Sequence, residues 1–75
     1  MKIMNKSIEK HAIRFGKRLR QLREARGLTQ NQLGLLIGRN SNLVAQFECA
    51  TRTPSFPSLM MLAKALGVSL SEFDE

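Results

Sequence analysis

Residues 28–48 read LTQNQLGLLIGRNSNLVAQFE. Two short helical patterns lie back to back in this stretch, broken by Ile37-Gly38-Arg39-Asn40. Thr29-Gln30-Asn31-Gln32 has the form of a capping box, with Thr29 as N-cap and Gln32 three residues on, so a helix is predicted to start there. It should run from about Gln30 to Ile37 and turn Leu33, Leu36 and Ile37 inward. Gly38 ends it, and Asn40 is placed to cap a following helix over about Ser41 to Cys49. In that second helix Val44, Phe47 and Glu48 fall at i, i+3 and i+4 on a face fit to bury, while Asn42, Ala45, Gln46 and Cys49 occupy the other.

The outward face is short, polar and nearly uncharged. Asn and Gln are the side chains that read adenine bidentately in the major groove, and a small neighbour such as Ala45 lets a helix approach closely. Two helices of this length on either side of a tight turn have the spacing of a helix-turn-helix, which makes DNA binding the leading reading. Without that context the same face would be an ordinary solvated helix surface.

Seventy-five residues make one domain with one modest core, which excludes a second domain, a long catalytic cleft or a barrel. The chain has no Trp or Tyr and no alternating strand pattern, while Leu, Ala, Arg, Lys and Gln dominate, so it reads as all-α. The net charge of +6 is unevenly placed: residues 1–26 carry nine Lys/Arg against two Glu, and residues 27–75 carry three against four acidic groups. A polyanionic partner is the functional reading of that surplus, because neutralised phosphates release counterions; the plain alternative is a solvated helix face. One cysteine cannot close an internal disulfide, no apolar stretch approaches membrane-spanning length, and the N-terminus lacks a signal peptide's apolar segment, so a cytoplasmic location is expected.

Working outward, helix 1 is predicted over about Ser7 to Arg26, with Ile8, Ala12, Phe15, Leu19 and Leu22 as its inward stripe and Gly27 as its C-cap. Residues 1–12 are read as a tail and the start of this helix, with Met1 and Met4 both possible starts, and residues 13–75 as the domain. After helix 3 a loop over Ala50 to Pro54 carries Arg52. Ser55 caps helix 4, with Pro57 in its first turn and Phe56, Leu59, Leu62, Ala63 and Leu66 inward. Ser69-Leu70-Ser71-Glu72 has the form of another capping box, opening a last short helix. Glu48 follows inward Val44 by four residues and Arg23 follows inward Leu19 by four, so both charges border the core. An Arg23–Glu48 ion pair tying helix 1 to the back of helix 3 would satisfy them.

The chain resembles the lambda-repressor/Cro (XRE) type of helix-turn-helix regulator, a compact five-helix DNA-binding domain, over roughly residues 13 to 73. The resemblance rests on FGKRLRQLREARGLTQNQL at 15–33, the Gly38 turn, Phe47-Glu48, Arg52-Thr53-Pro54-Ser55 and LAKALGVSLSEF at 62–73. It implies that helix 3 enters the major groove, that Gln30 holds a phosphate, that Ser41, Asn42 and Gln46 face base edges, and that Thr51 and Arg52 touch backbone. The Arg–Glu pair of the family matches Arg23 and Glu48. Three departures stand out: Ala50 where glycine is common, implying another exit geometry or left-handed strain; Arg39 at a usually small or apolar turn position, able to add a phosphate or base contact; and Leu43 for a common Ser or Thr, set to touch a thymine methyl or to pack on helix 2. Asn40 and Ala45 complete the expected contact set.

One recognition helix reads too few base pairs to single out a genomic site, so a homodimer on double-stranded DNA is expected, joined through Met61, Val68, Leu70 and Phe73. Of Met60 and Met61, one is expected in the core and the other outward. Controller proteins of restriction–modification systems and phage Cro-like repressors have this stand-alone form; an antitoxin that also binds a toxin is the alternative, with only residues 1–12 to supply the extra segment. Cys49 closes the reading face without a clear activating cation. His11 has no metal-ligating neighbour at the required spacing, and no metal, cofactor or small-molecule ligand is evident. No arrangement of catalytic groups is recognisable, so an enzyme is not expected.

Overall fold

The computed structural model describes residues 6–74, with side chains from residue 9 onward; Ile8 of the expected inward stripe, and Met1 and Met4, lie outside that range. Among the described residues there are four α-helices, α1 (Lys6–Ala25), α2 (Gln30–Leu36), α3 (Ser41–Glu48) and α4 (Phe56–Leu66), followed by a 3₁₀ helix (Leu70–Asp74). The all-α expectation holds, with the fifth element tighter than an α-helix. Its Glu72 N–H donates to Ser69 O at 3.1 Å in the i→i+3 pattern. The Ser69 and Ser71 hydroxyls bond each other at 2.9 Å, and the Glu72 carboxylate lies 4.0 Å from Arg18, so the predicted capping box is replaced by contacts to α1.

Capping sets the other boundaries. Thr29 Oγ1 accepts from Gln32 N at 3.0 Å and Gln32 Oε1 accepts from Thr29 N at 2.8 Å, completing the capping box of α2. Asn40 Oδ1 accepts from Leu43 N at 3.1 Å and Ser55 Oγ from Ser58 N at 3.3 Å, capping α3 and α4. Each α-helix ends in the same paired reverse turn, seen for α3 as Ala50 N–H to Phe47 O at 3.2 Å and Thr51 N–H to Gln46 O at 3.0 Å. The turn requires positive φ. Glycine supplies it after α1, α2 and α4, but Ala50 adopts φ 62° after α3, the left-handed strain expected at that position.

Leu19 and Leu22 of α1, Leu33 and Ile37, Leu43, Val44 and Phe47 of α3, Leu62, Ala63 and Leu66 of α4, and Phe73 form one buried core. Each large side chain in it contributes roughly 1.5–3 kcal/mol of transfer free energy. Four positions depart from the sequence reading. Leu36 is 58% exposed, because α2 turns Leu33, Gly34 and Ile37 toward the interior and leaves Leu36 on the rim of a groove with Met61, Lys64 and Ala65. Phe56, the first residue of α4, projects past the core and is 63% exposed; Met60, one turn on, is exposed with it, and so is Met61. Phe73 is 7% exposed, its ring centroid 5.3 Å from that of Phe15, so it seals the core against α1 and is unavailable to an interface. Among the described residues, no helix is long and apolar enough to cross a membrane.

Candidate nucleic-acid interface

The α2–α3 turn depends on a close backbone approach. A Cβ at Gly34 would lie 2.5 Å from Asn40 C and 2.6 Å from Asn40 O, closer than carbon tolerates, so only glycine lets α3 start against α2. Arg39 N–H donates to Gly34 O at 2.7 Å, closing the turn and sending the Arg39 side chain outward. At the other end of α3, a Cβ at Gly16 of α1 would meet Glu48 O at 2.6 Å and Phe47 O at 2.7 Å. Both ends of α3 are thus held by backbone seated on a bare glycine. The sequence reading missed both; the available signal was a glycine inside a helical pattern, which costs about 1 kcal/mol relative to alanine unless packing requires it.

The back of α3 is fixed by charge. Arg23 Nε donates to Glu48 Oε2 at 2.6 Å and Nη2 to Glu48 Oε1 at 3.2 Å, a two-pronged pair whose side chains are 9% and 5% exposed. Arg23 Nη1 donates to Leu28 O at 2.7 Å, and Gln30 Nε2 to Glu48 Oε1 at 3.0 Å. The pair therefore also orients the first residue of α2. Gln30 spends one amide hydrogen on Glu48, leaving its second amide hydrogen for an outside acceptor. On the solvent side of this junction, the Glu24 hydrogen bond and charge hold Arg20 above its ordinary pKa, and the Glu48 and Cys49 charges add to the effect.

The front of α3 is a polar hollow lined by Gly38, Arg39, Asn40, Asn42, Leu43, Gln46 and Arg52. Of the expected contact residues, Arg39, Asn40, Asn42, Leu43, Gln46 and Arg52 converge here, and no lining residue is acidic. Asn40 uses its carbonyl oxygen on the cap and keeps its NH₂ group. Leu43 is 8% exposed: it packs into the core, as one of its two expected roles requires, and its remaining surface lines the hollow. Ser41 and Ala45, both half-buried, lie outside the hollow, as does Gln30. Thr51 is exposed, but its hydroxyl donates to Gln46 O at 3.3 Å, stiffening the loop that carries Arg52. Cys49 is a free, exposed thiol at the end of α3. Among the described residues, no group of three or more His, Cys, Asp or Glu side chains is placed to hold a metal ion.

A family model described as a helix-turn-helix domain matches residues 14–75. The chain belongs to that family. The helix-turn-helix chain is 36% identical over 58 residues to the HTH-type transcriptional regulator PuuR of Escherichia coli (strain K12), a match covering 77% of this chain and 31% of PuuR. It thus spans about a third of that relative's length. Among solved structures, the restriction-modification controller protein C.AhdI from Aeromonas hydrophila superimposes with a TM-score of 0.82 at 36% identity, over 85% of this chain and 97% of that one. An HTH_3 family transcriptional regulator from Vibrio cholerae gives 0.79 at 26% identity, over 85% of this chain and 36% of its own. These likenesses place the domain with the lambda-repressor/Cro (XRE) type, in agreement with the motifs at 15–33 and 62–73.

Of the residues assigned to a dimer surface by sequence, Met61 and Leu70 are exposed, Val68 is half-buried and Phe73 is buried. Met61 borders two neighbouring depressions, one with Leu36, Lys64 and Ala65 and one with Ile37, Gly38, Arg39 and Ser58. The apolar rim of α4 therefore reaches the helix-turn-helix turn itself.

Proposed function

We propose that the chain is a sequence-specific DNA-binding transcriptional regulator that acts as a homodimer on a two-fold operator, with α3 in the major groove. The observation that carries this reading is the convergence of Arg39, Asn42, Gln46 and Arg52 on one acid-free hollow along the exposed face of α3. The Asn42 and Gln46 amides offer the donor–acceptor pair that matches adenine N7 and N6. Arg39 and Arg52 flank them with fixed positive charge suited to phosphates or to guanine O6 and N7. The buried Arg23–Glu48 pair and the two glycine contacts hold that face in one orientation, so little has to be ordered on binding.

Self-association is assigned to exposed Met61, Leu70 and half-buried Val68, with Met60 and Leu36 extending the surface; buried Phe73 has no part in it. Pairing through α4 would set two copies of α3 on half-sites about one helical turn, roughly 10 base pairs, apart or a multiple of it. That C.AhdI, a restriction-modification controller protein, is matched over 97% of its length supports a regulator of that kind. Selection of bound duplexes from a random library tests the proposal. Enrichment of one site with two inverted halves is expected, and failure to enrich any sequence would overturn it.

A further inference from the structure

The Lys and Arg side chains described on and just after α1, from Lys10 to Arg26, divide into two sets. Arg18 Nε donates to Glu72 O at 2.6 Å, Arg20 pairs with Glu24 at 3.0 Å, Arg23 with Glu48 at 2.6 Å, and Arg26 Nη2 donates to Gly67 O at 3.3 Å. These four are engaged within the molecule. Lys10, Arg14 and Lys17 are exposed, and no carboxylate or carbonyl among the described residues pairs with them. Their spacing of i, i+4 and i+7 puts them on one stripe of the helix. Like charges three and four residues apart repel and weaken a helix, so a stripe of this kind costs stability unless a polyanion meets it.

The position of α1 says which polyanion. Gly16 seats α1 against the carbonyls of Phe47 and Glu48 at the C-terminal end of α3, and Lys17 follows it directly in the chain, exposed to solvent. The stripe thus begins beside the end of α3 and runs back along α1 away from it. Lys10 to Lys17 spans about 10 Å along the helix, equal to about three base-pair rises of roughly 3.4 Å along the DNA axis.

We infer that Lys10, Arg14 and Lys17 form a second, sequence-independent surface that grips the phosphodiester backbone flanking the half-site read by α3. This inference rests on the DNA-binding reading above. The stripe has no amide or hydroxyl to distinguish bases, so it adds affinity and salt dependence and leaves sequence preference to Asn42 and Gln46.

The test measures salt-dependent binding of the full chain to two duplexes, one trimmed to the selected site and one extended by about a helical turn on each side, for wild type and the triple variant Lys10→Ala/Arg14→Ala/Lys17→Ala. Wild type should bind the extended duplex more tightly, with a log–log salt slope steeper by up to about 0.9 for each added phosphate contact. The triple variant should lose that increment while binding the trimmed duplex like wild type. Equal weakening of the triple variant on both duplexes, or an increment that survives in it, overturns the inference. Wild type that binds neither duplex overturns the DNA-binding reading itself, a distinguishable failure.

Discussion

Replacing Glu48 by alanine removes the acceptor of three hydrogen bonds at one stroke: two from Arg23, at 2.6 and 3.2 Å, and one from Gln30, at 3.0 Å. The Arg23 side chain is 9% exposed and would keep its bond to Leu28 O and a 3.9 Å approach to the exposed Glu24 carboxylate, leaving a buried charge without its close partner. Breaking one partner of a buried pair costs about 3–5 kcal/mol. A domain of this size holds only about 4–11 kcal/mol in total, so the variant would forfeit a large share of its stability. At roughly 4–8 °C per kcal/mol, its melting temperature should fall by at least about 12 °C. The double variant Arg23→Met/Glu48→Leu should regain most of the loss, because two apolar side chains need no partner in the same space. Thermal melts by circular dichroism of wild type, both single variants and the double variant form the cycle. A Glu48→Ala protein melting within 2–3 °C of wild type, or a double variant as unstable as the sum of the singles, would refute the reasoning.

Three further substitutions probe other joints. Ala50→Gly should stabilise the fold by about 0.5–1 kcal/mol, since it relieves a left-handed penalty of about 1–2 kcal/mol at φ 62° at the smaller cost of a more flexible unfolded chain; a lower urea midpoint than wild type would contradict this. Gly34→Ala should destabilise by about 1–3 kcal/mol, because its Cβ would meet the Asn40 backbone at 2.5 Å, and an unchanged midpoint would mean that the turn can yield. Met61→Asp, at an exposed position, should leave the helical signal intact while shifting sedimentation equilibrium from dimer to monomer. A folded variant as dimeric as wild type would move the interface elsewhere.

The parts of the fold carried by local chemistry were readable from the chain. Thr29, Asn40 and Ser55 cap their helices because their side chains reach amides two or three residues away, and the glycines after α1, α2 and α4 mark turns that need positive φ. The Arg23–Glu48 meeting follows from periodicity because two charges bordering one core must find each other. What could not be read depends on which element covers which. Leu36 and Phe56 carry the right period for burial, yet no neighbouring helix extends over them. Phe73 looks like surplus apolar surface until the tilted Phe15 ring is seen packed against it. Gly16 and Gly34 are ordinary letters until the carbonyls opposite them are in place. Around the outward face of α3, residue types marked Arg39, Asn42, Gln46 and Arg52, but which of the expected contacts share one hollow, and that Ser41 and Ala45 lie outside it, depends on the turn geometry.

The placement of α3 in the major groove is tested most directly by repeating site selection with Gln46→Ala beside wild type, then measuring affinity for the selected site in which single adenines are replaced by 7-deazaadenine, which lacks the N7 acceptor. Wild type should lose roughly 1–3 kcal/mol at one adenine per half-site, Gln46→Ala should be indifferent to that replacement, and its selected site should be relaxed at that base pair alone. Identical selected sites for the two proteins, with no adenine N7 whose loss matters to wild type, would contradict α3 as the reading helix.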